Sequence, residues 1–457
     1  MAKQTMEELR GAVRGQIIAR GDAEYDTARK VYNGMIDKHP KVIVRATDAA
    51  DVMATVAYSS QNGRILSVRG GAHSVPGFGT NDDGVVIDLS RMKGIRVDPA
   101  ARTVRAEGGV TWGDLFHATY PFGLTTPGGI ISTTGIGGLT LGGGIGHLSR
   151  GLGLSIDNLL SADVVTADGR FLTASEKENP DLFWALRGGG GNFGVVTSFE
   201  YRLHPVKDVL VALVFFELSA ARQVLEFYRQ YIATAPEEMG AFFGYHLAPP
   251  LPFIPEKRHG EPFCVLVACW AGPMEKGEQA MQPIRKAGAV AAELVTPMPF
   301  PALNSLFDAL LPPGLQHYWK AAFASEITDG AIAAHVAHGP KIPTVNSAMH
   351  IYPINGACNR VRADATAFAY RDARFAVNVA GMWPDPKDNQ KNIKWVKDYY
   401  AALEPHSSRG GYVNFMADDD QGRVKESYKG NYDRLVSIKK KYDPENLFHI
   451  NQNIKPS

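Results

Sequence analysis

The stretch NPDLFWALRGGGGNFGVVTSFEYRLHPV, residues 179–206, decides the fold class. Gly189, Gly191 and Gly194 match the spacing G-x-G-x-x-G. A dinucleotide fingerprint of the doubly wound kind needs a strand before that turn and a helix after it. Here the order is reversed. DLFWALR before the glycines reads as a helix, and VVTSFEYRL after them reads as a strand. The spacing does not indicate a Rossmann domain, and the short strands and helices around it read as α+β.

Working outward, DAADVMATVAYSSQN (48–62) reads as a helix. Thr47 or Asp48 can cap it, Val52 and Val56 share a face, and Gly63 ends it. RILSVRG, GVVIDLSRM, GIRVDPAARTVRAEGG and SADVVTADGRFLTAS read as strands, with DPAAR and ADGR as turns. VTWGDLFHATYPFG reads as a further helix. Beyond residue 206 the character changes. VLVALVFFEL, FCVLVACWAG and RFAVNVAGMW are apolar strand-like runs. ARQVLEFYRQYIATA and QNIKWVKDYYAAL between them are helical, so a larger sheet with covering helices fits. The tail is a helix stopped near Asp443-Pro444 and then an extended segment. This divides the chain into 1–206, 207–407 and 408–457.

Composition narrows the function. A chain of 457 residues is too long for one compact core. Lys plus Arg number 48 and Asp plus Glu 47, so no basic surface for nucleic acid or an anionic membrane is indicated. No run approaches the ~18 apolar residues that span a bilayer, and the N-terminus lacks a signal-peptide apolar core. A cytoplasmic location is expected. Cys264, Cys269 and Cys358 form neither a disulfide framework nor a metal site.

Glycine is the outlier. Of 47, 11 fall between residues 128 and 153. No Walker lysine accompanies them, so a nucleotide-hydrolysing P-loop is excluded. Clusters at 70–79, 128–146 and 188–194 either line a long ligand with exposed backbone N–H groups or are turn-rich loops.

Five ordered motifs carry a resemblance. They are VRGGAHSVPGFGT (68–80), TTGIGGLTLGGGIG (133–146), LGLSIDNLLSADVVTADG (152–169), the opening stretch, and YDPENLFHINQNI (442–454). In this order the chain resembles the berberine bridge enzyme-like branch of the vanillyl-alcohol oxidase flavoproteins. The resemblance implies a PCMH-type FAD domain of two α+β subdomains, built from the N-terminal half and the tail. A substrate domain with an antiparallel sheet covered by helices would lie between them.

It also implies contacts. FAD would be bound by Arg69, Gly70, Gly71, Ala72, His73, Ser74, Gly77, Phe78, Thr133, Thr134, Gly137, Gly138, Gly142, Gly143, Gly146, Asn158, Gly191, Val195, Val196, Asn451 and Asn453. His73 would bond covalently to the flavin 8α carbon. Some relatives carry a second tether on a cysteine, but that position is Ile131, so His73 is expected to be the only one. Leu139 stands where some relatives have histidine. Thr134 resembles the oxygen-gate position, and its small side chain leans toward O2 as acceptor.

The substrate side rests on GGYVNFMADDD (410–420), HYWKAAF (317–323) and SAMHIYPINGA (347–357). Tyr412 is the expected base or orienter, with Asn414 beside it; the alternative is a buried tyrosine with its hydroxyl satisfied. Trp319 and Lys320 alternate, so one of them faces the pocket. His350 and Tyr352 are two apart and face the same way, into the pocket or out of it. Asp418, Asp419 and Asp420 read as a solvated loop and not a metal site. The expected activity is removal of a hydride from carbon bearing OH or NH in a small alcohol, sugar or amine, with O2 giving H2O2. An oxidative ring-closing step, or flavin binding with little turnover, is the alternative. Oligomeric state is left open.

Overall fold

The computed structural model describes residues 3–456. The first sheet holds β1 (Gln16–Ala19), β2 (Val42–Arg45), β3 (Leu66–Arg69) and β4 (Val85–Asp88) in the order β1-β2-β4-β3. β2, β4 and β3 run parallel, and β1 joins antiparallel. The helix Ala49–Gln61 makes the crossover from β2 to β3. Its N-cap is Asp48, whose side chain accepts from Asp51 N, and Val52 and Val56 are fully buried.

The second sheet holds β5 (Ile95–Asp98), β6 (Thr103–Glu107), β7 (Leu159–Val165), β8 (Phe171–Ser175) and β9 (Val195–Arg202) in the antiparallel order β5-β6-β9-β7-β8. The helix Pro180–Leu186 precedes the Gly188–Gly191 turn and β9 follows it. Helix-then-strand therefore stands, against a dinucleotide fold.

The third sheet is wholly antiparallel. It holds β10 (Asp208–Phe216), β11 (Met239–Leu247), β12 (Pro262–Trp270), β13 (Val290–Pro299), β14 (Gln316–Ala324), β15 (Ala348–Pro353) and β16 (Phe375–Trp383). Their order is β13-β10-β12-β11-β15-β16-β14. The run VLVALVFF splits by alternation. Leu210, Ala212, Val214 and Phe216 pack under the helices Ala221–Thr234 and Gly277–Arg285. Val209, Val211, Leu213 and Phe215 join the core shared with the N-terminal half. A sheet covered on both faces reads as a continuous apolar run for this reason.

The chain then returns. Tyr428, Leu435, Ile438 and Tyr442 enter the core of residues 104–203. The Lys439 ammonium, fully buried, donates to Asn192 O and Phe448 O and pairs with Asp443 at 2.6 Å. This ties the tail to the Gly188–Gly194 turn. No helix among the described residues is long and apolar enough to cross a membrane.

Candidate active site

A cavity of about 370 Å³ runs between the N-terminal half and the face of the third sheet turned toward it. One wall is backbone. Gly70, Gly71, Gly135, Gly137, Gly138, Gly190, Gly191 and Gly194 line it. Two of its loops touch each other. A Cβ on Gly71 would lie 2.2 Å from Gly135 N, and one on Gly135 would lie 2.4 Å from Gly71 N. Gly138 and Gly191 instead face open space, with no atom within 4 Å of a Cβ.

His73 stands on this wall. Ala72 before it takes a left-handed backbone, φ 60°. The imidazole stacks on Tyr32 with ring centroids 3.8 Å apart. Its Nε2 lies 2.9 Å from Thr133 Oγ1 and its Nδ1 3.3 Å from Thr134 Oγ1. Burial lowers its pKa to about 4, so it is neutral at pH 7. The Arg69 guanidinium donates to Gly79 O and Ala28 O and pins the loop from below.

The opposite wall is side chain. His246 on β11, His317 and Trp319 on β14, His350 and Tyr352 on β15, and Asn378 on β16 face the cavity. Phe415 and Asn414 from the returning segment close it. Tyr352 Oη lies 2.5 Å from His350 Nδ1, and His350 Nε2 lies 2.8 Å from His246 Nε2. Gly244 is paired across the strands with His350, and a Cβ there would sit 2.8 Å from the imidazole Cδ2. The missing side chain makes room for the two rings. Burial holds both histidines neutral, His246 near 4 and His350 well below its ordinary value, and raises Tyr352.

Comparison with known proteins now bears on this geometry. A family model for an FAD binding domain matches residues 40–175, and one for berberine and berberine-like proteins matches residues 411–455. An FAD-linked oxidoreductase of Dictyostelium discoideum is 32% identical, covering all of this chain and 98% of the relative. The chain belongs to the berberine bridge enzyme-like family of FAD-linked oxidoreductases. The (R)-6-hydroxynicotine oxidase of Paenarthrobacter nicotinovorans is 30% identical to this oxidoreductase over 97% of each chain. The solved 6-hydroxy-D-nicotine oxidase of Arthrobacter nicotinovorans aligns at TM-score 0.87 and 27% identity, over 99% of this chain and 100% of that one. Physcomitrella patens BBE-like 1 shares the fold at TM-score 0.88 and 23% identity, with 99% and 100% covered.

The residues of this oxidoreductase fit FAD. The two open glycines leave the space that side chains would fill. On residues that line the cavity, Asn451 Oδ1 can accept, Gln452 Nε2 can donate and Tyr428 Oη can do either, and all three are buried with no protein partner. Arg69, Gly70, Gly71, Ala72, His73, Ser74, Phe78, Thr134, Gly137, Gly138, Gly191, Val196 and Asn451 line the cavity, as do Ile131 and Leu139. Thr133 reaches it only through His73.

Other expected contacts lie elsewhere, each for a packing reason. Gly77 sits against Ile36, where a Cβ would meet the side chain at 2.7 Å. Gly142 abuts Asn414, Gly143 abuts Tyr412 and Phe368, and Gly146 abuts Gly128 O, so these three let loops approach. The Asn158 amide donates to Leu152 O and Leu154 O. Val195 pairs with Val165 and joins the first sheet's core. Asn453 lies outside the cavity lining, with its Oδ1 buried and unpaired.

Two corrections concern the chemistry. Tyr412 does not face the cavity. Its hydroxyl accepts from Gly144 N at 2.8 Å and from Asn414 Nδ2 at 2.9 Å, and burial pushes its pKa up to about 12. It is a buried tyrosine with its hydroxyl satisfied. Lys320 points away from the cavity. It bonds Asp419 at 2.7 Å and Asp420 at 2.8 Å, leaving Trp319 on the cavity side. Asp420 is thus a buried ion-pair partner and not part of a solvated loop. No cluster of metal-ligand type occurs among the described residues.

His246, His317, Tyr32 and Asn378 escaped the sequence reading. His246 is the penultimate residue of the run MGAFFGYHL, where Phe242, Gly244 and His246 share one face by alternation. That alternation was the available signal. Tyr32 lies in an irregular segment that offers none.

Proposed function

We propose that the protein oxidises a carbon bearing O–H or N–H in a small alcohol, sugar or amine, with FAD held covalently through His73 alone and O2 as acceptor. The observation that carries this reading is the Tyr352–His350–His246 chain facing the His73 wall across one cavity. When bound, FAD supplies an electrophilic 8α carbon for the histidine and a two-electron sink for the substrate hydride, and O2 removes the electrons as H2O2.

His73 is suited to the tether. In the tautomer with Nε2–H donating to Thr133 Oγ1, the Nδ1 lone pair is the nucleophile, held only by a long 3.3 Å bond from the Thr134 hydroxyl that attack on the 8α carbon would displace. Neutrality at pH 7 keeps that lone pair available.

Tyr352 orients the substrate O–H or N–H and takes its proton. The three side chains have two neutral wirings. In one, Tyr352 donates to His350 Nδ1, His350 Nε2 donates to His246, and His246 holds its proton on Nδ1. In the other, every proton is shifted one place toward His246. Moving from the first to the second accepts one proton at Tyr352 and passes one from His246 Nδ1 to solvent at the half-buried end of the chain. No buried charge persists at either end, which suits groups that burial keeps neutral. Relatives named as oxidases of 6-hydroxynicotine and xylooligosaccharide support oxidase chemistry on this fold.

The test has two parts. Acid-precipitated protein should keep its yellow colour, and His73→Ala should release all of its flavin; colour released from the unaltered protein would refute the tether. Alcohols, aldoses and cyclic amines should then be screened anaerobically for bleaching. Tyr352→Phe should slow the bleaching by roughly 100-fold or more while binding is kept. An unchanged rate would remove Tyr352 from the chemistry.

A further inference from the structure

The side-chain wall carries no formal charge. Among the described residues beyond 206, no Asp, Glu, Lys or Arg lines the cavity. The nearest candidate cation in sequence, Lys320, lies on the opposite face in its pair with Asp419 and Asp420. On the glycine wall the one charged side chain is Arg69, already bonded to two carbonyls and 3.7 Å from Asp88.

What the wall offers is flat apolar surface and neutral polar atoms. Trp319 and Phe415 meet edge to face at 5.9 Å, with Tyr352 6.1 Å beyond Phe415. Asn378 Oδ1 and both ring nitrogens of His317 are buried with no protein partner. Such atoms bond neutral hydroxyl, carbonyl or amide groups. An ion placed here loses its water and finds no counter-ion, which weakens its binding. Aromatic faces alone repay only part of that for a cation and nothing for an anion.

We infer that this cavity selects an uncharged substrate, a flat apolar molecule that bears its reacting hydroxyl. Amines protonated at neutral pH and acidic sugars are disfavoured. The inference rests on the reading of this cavity as the substrate site.

Three benzyl alcohols that differ only at the para position test it on the flavin-loaded protein: 4-tert-butylbenzyl alcohol, its 4-trimethylammonio isostere and the smaller, planar 4-carboxybenzyl alcohol. Each is titrated against the flavin absorption spectrum, so the readout is binding and needs no turnover. The neutral probe should bind at least tenfold more tightly than either ion. Leu310→Glu, at the half-buried end of the short 3-10 helix Asp308–Leu310 on the cavity wall, should shift the preference toward the ammonium probe while the flavin content holds. Equal or tighter binding of an ion to the unaltered protein, or no spectral change with the neutral probe, overturns the inference. Failure of the catalytic reading shows separately, as a Tyr352→Phe protein with an unchanged reduction rate.

Discussion

The two walls of the cavity are built by opposite means. The N-terminal wall is backbone: glycine loops brought into contact, with the His73 imidazole set among them. The wall on the third sheet is side chain: alternate residues of four antiparallel strands, with Tyr352, His350 and His246 bonded in series. Where its loops touch, as at Gly71 and Gly135, a backbone wall has no tolerance for added atoms, because peptide groups cannot rotate aside. A side-chain wall tolerates substitution but depends on protonation and register.

The largest expected effect attacks the backbone wall. Gly71→Ala places a methyl 2.2 Å from Gly135 N, so the loops must separate. We expect loss of most bound flavin and destabilisation on the order of 4 kcal/mol or more, read from the flavin-to-protein absorbance ratio and the melting temperature. Gly191→Ala, facing open space, should keep its melting temperature in the flavin-free protein and only weaken flavin binding. Equal behaviour of the two variants would break the contrast.

Acid attacks the histidines, most of them on or behind the side-chain wall. Burial lowers His73, His147 and His246 to about 4, and His317 and His335 to about 3. In the unfolded chain these groups titrate near 6.5, so that state binds more protons below this pH. Stability is therefore fully present above pH 6.5 and falls as the pH drops toward 4. A melting temperature that is flat from pH 7 to 5 would contradict this. Tyr412→Phe is expected to do least to the chemistry. It strips a bond from the buried Gly144 N–H and one from Asn414, at roughly 1–3 kcal/mol. Flavin reduction should change far less than in Tyr352→Phe.

The glycine wall was legible because a motif of small residues can be recognised without knowing its partner. The helix Ala49–Gln61, the two hairpins of the second sheet and the helix-then-strand order around Gly188–Gly194 were readable from local caps, turns and periodicity. Yet which glycines face the ligand was not. Gly138 and Gly142 look alike in sequence, and only the latter is pressed against Asn414, 272 residues further on.

The side-chain wall was legible in part. Alternation put His350 and Tyr352 on one face, and set Trp319 against Lys320, without saying which side was the cavity. The Tyr-x-Asn spacing drew attention to Tyr412, whose hydroxyl is taken up by Gly144 N and Asn414 instead. Its partner in position, Asn414, does reach the cavity.

By itself the sequence determined the α+β class, the family and the histidine on the glycine wall, because local backbone preferences and ordered motifs do not depend on distant contacts. Only the tertiary structure decided that Lys320 serves Asp419 and Asp420, that Tyr412 is satisfied from behind, and that His246 joins Tyr352 through His350. Each of those follows from strand register and from hydrogen bonds that must be closed between segments roughly a hundred or more residues apart. The physical reason is that a buried polar group takes whichever partner the fold brings within bonding distance.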